Sequence, residues 1–312
     1  MKFILLSILT FTLYQTGSSQ NSVEPAFEIL SEYPNVRDFT MSSSGNEGYV
    51  TIQSTLEEIS VIAKIVKKWN IWLNPEIVSF SGKYKDIEPS FSPDGLRLYF
   101  ASNRPLTESM DSPKDFDIWY IERENPDNPW SKPINIGEPI NTALNEFYPS
   151  VVENKNLYFT SDATDSKGRD DIFFSKWNGN MYSPPVSLSD SINTDGYEFN
   201  AYVSPDESFM IFSGYNRADG IGSGDLYISF QDENQNWCAA TNLGESINSK
   251  SMDYCPFVDL TSQTLFFTSR ISAFSLVNDF QSIEDLSNEI NQYENGLSRI
   301  YKVSVKEYLK KH

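Results

Sequence analysis

Carboxylates recur in step along this sequence. Asp86, Glu146 and Asp253 each stand three residues before a proline, and Glu198 stands three before an alanine. Asp38 is out of step: it lies one residue before Phe39, just as Glu88 lies one before Pro89. A second set, Asp117, Asp171 and Asp225, opens short apolar runs. Acids without other partners offer two kinds of chemistry. A pair at the right separation hydrolyses a glycosidic bond without histidine. A ring of them holds a cation or a basic ligand through its oxygens. Catalysis needs acids in unequal environments, whereas acids generated by a repeat meet similar surroundings each time. The first set, Asp86, Glu146, Glu198 and Asp253, is therefore read as binding residues gathered on one face. An alternative is that each accepts hydrogen bonds from an adjacent blade's turn. The second set is read as loop-fixing. No catalytic residue is assigned and a non-enzymatic binding scaffold is expected, with carboxylate-dependent glycoside hydrolysis as the rival.

Other chemistries lack their residues. The only histidine is His312, the last residue. That removes the usual Ser-His-Asp and Cys-His sites and every histidine-based metal site. Cys238 and Cys255 form neither a Cys-x-x-Cys motif nor a disulfide framework. On the strand order derived below they fall at opposite faces and different radii, so two separate thiols are expected. No metal and no cofactor are expected.

The elements that must position the acids repeat with them. A strand opens at Glu88-Pro-Ser-Phe91, Tyr148-Pro-Ser-Val151, Asn200-Ala-Tyr-Val203 and Cys255-Pro-Phe-Val258. A polar turn follows, spelled Ser92-Pro-Asp-Gly95 and Ser204-Pro-Asp-Glu207. Proline presets φ there, aspartate bonds back to the backbone, and glycine accepts φ > 0. A second strand ends in aromatics at Leu98-Tyr-Phe100, Leu157-Tyr-Phe159, Met210-Ile-Phe212 and Leu265-Phe-Phe267. The third strand starts at Asp117, Asp171, Asp225 and Arg299, and a short fourth follows Trp130, Tyr182 and Trp237. Short β-branched and aromatic runs with Gly/Pro punctuation mean an all-β repeat. A fainter copy spans Phe39 to Pro75, which makes five four-stranded blades of a β-propeller, with six as the alternative. The fifth copy lacks its last strand. Pro25 to Leu30 resembles that strand, so the N-terminal segment is expected to complete the ring and remove two sheet edges.

The run Phe91-Ser-Pro-Asp-Gly95 with Leu98-Tyr-Phe100 and Asp117-Ile-Trp119 resembles the WD40-like repeat of the TolB-type β-propeller family. The resemblance covers roughly residues 25 to 305, and the count of five departs from the six blades common in that family. It implies a propeller, export or a periplasmic location, and protein interaction. It is specific for fold and says little about activity.

Met1-Lys2 followed by the apolar run Phe3 to Tyr14 reads as a signal peptide over residues 1–19, and residues 20–312 as one propeller domain. No other stretch is apolar enough to cross a membrane, so an exported, periplasmic or extracellular protein is expected. The formal net charge of −19 excludes ordinary nucleic-acid binding, which needs basic patches. A protein or glycan ligand and a monomeric state are expected. Long segments after the second strands, notably 270–298, gather on the face of the first acid set. Phe280, Ile283, Leu286 and Ile290 recur there at helical spacing, which predicts an amphipathic helix over 279–293 lying on the propeller, or else binding a partner.

Overall fold

The computed structural model describes residues 22–107, 112–275 and 277–310; the expected signal peptide lies outside them. Five antiparallel sheets stand in a ring, and each runs from an inner strand on the axis outward. The inner strands are Asn35–Met41, Asp86–Phe91, Glu146–Val151, Tyr197–Val203 and Asp253–Asp259. The second strands are Glu47–Gln53, Arg97–Ser102, Leu157–Ser161, Phe209–Tyr215 and Thr264–Ser269. The third are Ser60–Lys68, Asp117–Glu122, Asp171–Ser175, Asp225–Phe230 and Arg299–Ser304. Two-residue outer strands finish blades one to four, and blade one carries a further short hairpin at Ile71–Trp72.

The outer strand of blade five comes from the other end of the chain. Glu24 pairs with Lys302 and Pro25 with Tyr301, so the ring closes as the repeat count requires. Phe27 and Leu30, both buried, then plug the seam between blades five and one. The Phe27 ring lies 4.6 Å from Phe39, 5.6 Å from Trp72 and 5.9 Å from Phe266. Removing that apolar surface from water is what holds a two-residue strand in place.

Between blades the core is aromatic. Tyr99, Phe100, Phe159, Phe212 and Phe267 are all buried. Trp130 reaches back one blade and donates its indole N–H to Tyr49 Oη at 2.8 Å. Trp237 likewise meets the Tyr158 ring edge-on at 6.0 Å. The turns obey their chemistry: Leu96 N–H donates to Asp94 at 3.0 Å, and Gly95 takes φ 69°.

The 270–298 segment carries a helix, Ile283–Ile290, capped by Ser282 accepting from the Asp285 N–H at 3.0 Å. It does not bury its apolar face on the ring. Ile283 and Ile290 are exposed, and only Leu286 is half-covered. The segment is pinned at its base, where Ala273 N–H bonds Glu294 and Ser272 bridges Asn295, and the helix projects beyond that clasp. Cys238 is exposed on blade four and Cys255 is buried on an inner strand, each a free thiol. No helix among the described residues is long and apolar enough to cross a membrane.

Candidate functional site at the propeller axis

The four carboxylates expected on a binding face are all fully buried. Glu146 accepts from the Thr142 N–H at 3.2 Å and its hydroxyl at 2.6 Å. Glu198 accepts the same pair of bonds from Thr194, both at 2.7 Å, and also meets Arg217. Asp253 accepts from the Ser249 N–H at 2.6 Å and from its hydroxyl at 3.0 Å. Asp86 takes the hydroxyls of Ser81 at 2.7 Å and Ser102 at 2.6 Å, and pairs with Arg104. Each acid therefore fastens the turn that leads into its own blade, and none lines the axial cavities. Burial pushes Glu146 up to about 7 and Asp253 up to about 6, against the pull of these donors. The strand-three acids hold loops: Asp171 accepts the N–H groups of Lys167 and Gly168 at 2.9 and 3.2 Å, and Asp225 accepts from Gly222 at 3.0 Å. Asp117 accepts from Asn135 at 2.7 Å and pairs with Lys114.

A different set of side chains meets on the axis. Every inner strand slips register once, between Arg37 and Thr40, Ile87 and Ser90, Phe147 and Ser150, Phe199 and Tyr202, and Tyr254 and Phe257. The first residue of each bulge is Asp38, Glu88, Tyr148, Asn200 or Cys255, and all five have φ between 47° and 60°. Non-glycine residues enter that left-handed region at a cost, and bulges there re-aim a side chain. Each of these five side chains bonds to another blade. Glu88 of blade two accepts from Asn200 Nδ2 of blade four at 3.2 Å. Tyr148 Oη of blade three donates to the Pro256 carbonyl of blade five at 2.8 Å. Cys255 Sγ bonds Asn200 Oδ1 at 3.3 Å. Bonds between non-adjacent blades must cross the axis, so this layer plugs the channel.

Arg37 ties the plug together. Its Nε donates to Asp38 at 2.6 Å, and its Nη2 donates to Glu88 at 2.8 Å and Cys255 Sγ at 3.3 Å. One guanidinium thus serves two carboxylates. Burial pushes Glu88 up to about 7; Arg37 pulls the other way, and the Asp38 charge adds to the rise. Burial also raises the Cys255 thiol.

Above the plug, on the face of the long loops, lies a cavity of 520 Å³. Its floor is the residue before each bulge: Arg37, Ile87, Phe147, Phe199 and Tyr254. Lys85, Phe116, Met252, Glu57 and Arg270 stand around them. Below the plug is a smaller cavity of 190 Å³ near Ser90, Ser150 and Phe257. A third, of 740 Å³, opens off the axis beside Trp130, where Arg97 and Glu122 are half-exposed and paired with each other. The axial cavity is the one toward which buried polar groups of all five blades converge.

The repeat aligns Asp38 with Glu88 through their shared place before Phe39 and Pro89, but gives neither a role on the axis. The usable signal is variation: the column that follows is proline in three blades of five, while this one reads Asp, Glu, Tyr, Asn, Cys. The turn-fastening role of the first set had a signal too, the four-residue spacing of Thr142 to Glu146, Thr194 to Glu198 and Ser249 to Asp253.

No family model matches the chain, and no curated protein matches it in sequence. Solved structures do resemble it. The catalytic domain of a GH62 α-L-arabinofuranosidase from Coprinopsis cinerea aligns at TM-score 0.51 and 11% identity, over 91% of this chain and 96% of that one. A chain described only as a glycoside hydrolase aligns at TM-score 0.54 and 9% identity, over 91% of this chain and 90% of that one. A TolB candidate from Agrobacterium tumefaciens gives 0.48 at 13% identity, over 81% and 79% of the two chains. At these identities the likeness concerns fold. It nevertheless corrects the expectation of a non-enzyme, because propellers of this shape include glycoside hydrolases. The turn-fastening set is repetitive, but the axial acids Asp38 and Glu88 stand among unlike residues. The chain itself is a five-bladed β-propeller, and the two chains described above that align with it at TM-scores above 0.5 are glycoside hydrolases.

Proposed function

We propose that the cavity above the axial plug binds a saccharide chain. The observation that carries this is the floor itself: Phe147, Phe199 and Tyr254 ring a concave site whose base presents Arg37, Glu88 and Asn200. Aromatic walls with a few convergent polar groups are how ligand sites combine affinity with orientation. Sugar rings offer apolar C–H faces to such walls and hydroxyls to such a base. The fold-level likeness to glycoside hydrolases supports the choice of ligand class. The export expected from the Phe3–Tyr14 run would place the protein where glycans are met.

A second reading, hydrolysis of that saccharide, is favoured by one observation. Asp38 and Glu88 sit at equivalent positions of adjacent blades, bridged by Arg37, and burial lifts Glu88 into the range of a proton donor near neutral pH. One experiment serves both readings. A glycan panel is screened by calorimetry, and bound members are incubated and assayed for new reducing ends. Tyr254→Ala and Phe199→Ala should each weaken binding roughly tenfold, the scale of a lost aromatic contact. Reducing ends that appear with wild type and vanish with Asp38→Asn would support hydrolysis. If no glycan binds, or the aromatic variants bind equally well, the saccharide reading fails.

A further inference from the structure

Two arginines share one tyrosine at the wall of the cavity. The Arg37 guanidinium lies 5.0 Å from the centre of the Tyr254 ring, and the Arg270 guanidinium lies 5.7 Å from it. They come from different blades, Arg37 from the inner strand of blade one and Arg270 from just after the second strand of blade five. Both line the same cavity. Their bonds to protein use the same two nitrogens. Arg37 spends Nε on Asp38 and Nη2 on Glu88 and Cys255. Arg270 spends Nε on Ser298 at 3.2 Å and Nη2 on Glu57 at 2.5 Å. Arg270 also meets the Tyr254 hydroxyl, and among the described residues neither arginine has a hydrogen bond from Nη1 to protein. Lys85 is a third cation in the lining.

Such a grouping is unexpected in a chain with a net charge of −19. Two like charges on one ring repel, and each guanidinium keeps a planar donor edge that matches a carboxylate. The acids nearby do not use those edges: Asp38, Glu88 and Glu57 are already bonded to Nε or Nη2.

We infer that Arg37 and Arg270, set against Tyr254, form an anion subsite, so that the saccharide taken by this cavity is an acidic one bearing a carboxylate. The inference rests on the saccharide reading above and adds the substrate class. The sugar ring lies on the aromatic floor, its carboxylate accepts from Nη1 of both arginines, and Tyr254 fixes the two guanidinia by stacking.

The test compares oligogalacturonate with its methyl ester, which keeps rings and linkages but removes the charge, by calorimetry at low salt. Glutarate serves as an anion without a sugar. The acid form should bind at least tenfold more tightly than the ester, the difference expected of charge-assisted hydrogen bonds. Arg270→Ala combined with Glu57→Gln, which leaves no unpaired acid, should erase that preference. Equal affinity for acid and ester would overturn the subsite and leave the saccharide reading standing. A preference that survives the double variant would overturn it as well. Glutarate binding, lost in the double variant, with no saccharide bound would keep the subsite and overturn the saccharide reading. Binding of none of the three would overturn both.

Discussion

Glu88 Oε2 accepts the backbone N–H of Tyr148 at 2.8 Å, across the boundary between blades two and three. At three other boundaries that service falls to a threonine hydroxyl on the preceding blade's second strand. Thr51 takes the Glu88 N–H at 3.1 Å, Thr160 takes Asn200 at 3.0 Å, and Thr268 takes Asp38 at 3.3 Å. Blade two has Ala101 at this place, opposite Ile87, and cannot supply it. The axial carboxylate is thus also a structural acceptor, and Arg37, Asn200 and the Tyr148 amide depend on it together.

Glu88→Ala should therefore destabilise the fold by roughly 3–5 kcal/mol, the range for breaking a buried charge pair. Adding Ala101→Thr should return about 1 kcal/mol by giving the Tyr148 N–H a hydroxyl partner. Urea denaturation of the single and double variants checks both values. No rescue by Ala101→Thr would mean that the amide contributes little.

Stability should fall as pH rises through the neutral range. Burial raises Glu88 and Glu146 to about 7 and Asp253 to about 6. Between the ordinary carboxyl range, about 4, and those values, the folded chain holds protons that the unfolded chain has released. That contribution is full at low pH and lost on passing about 6 to 7. Melting scans should give a Tm several degrees higher at pH 5 than at pH 8, at roughly 2–4 °C per kcal/mol. Glu146→Gln should narrow the gap; a Tm that climbs from pH 5 to pH 8 would contradict this account.

The acids that fasten turns should matter for folding and leave ligand binding intact. Thr194→Val removes the hydroxyl that donates to Glu198 at 2.7 Å while keeping the shape. A cost of about 1–3 kcal/mol is expected, since a buried carboxylate oxygen loses its partner. Calorimetry on any ligand found for the axial cavity should show an unchanged Kd. A shifted Kd would return Glu198 to the binding site.

Closure by the N-terminal segment carries its own number. Phe27→Ala should cost about 3–5 kcal/mol, as for other buried phenylalanines, because its ring joins Phe39, Trp72 and Phe266 at the seam. Hydrogen exchange should show the loss first in Arg299–Ser304, the strand that Glu24–Pro25 covers. Equal loosening of all five blades would argue against a local seam.

The sequence by itself determined the blades, their number, the turn chemistry and the closing strand. Each of these depends on local rules: alternation, Pro-Asp-Gly turns, and a repeat whose missing strand is found at the other terminus. Residues such as Tyr99, Phe159 and Trp130 were legible as packing because period and size suffice to place them. The site was not legible in this way. Acids three residues before the proline look functional because they recur, yet recurrence is what a turn-fastening role produces. Asp38 and Glu88 look ordinary in the sequence, one beside Phe39 and one beside Pro89. Only the tertiary structure brings five bulges to one axis, where a left-handed φ turns each side chain inward and sets Glu88 against Arg37 and Asn200, 51 and 112 residues away in the chain. The same convergence places Arg37 and Arg270 on one tyrosine. Local pattern encodes strands and turns; the meeting of unlike residues at the centre of a ring depends on closing that ring.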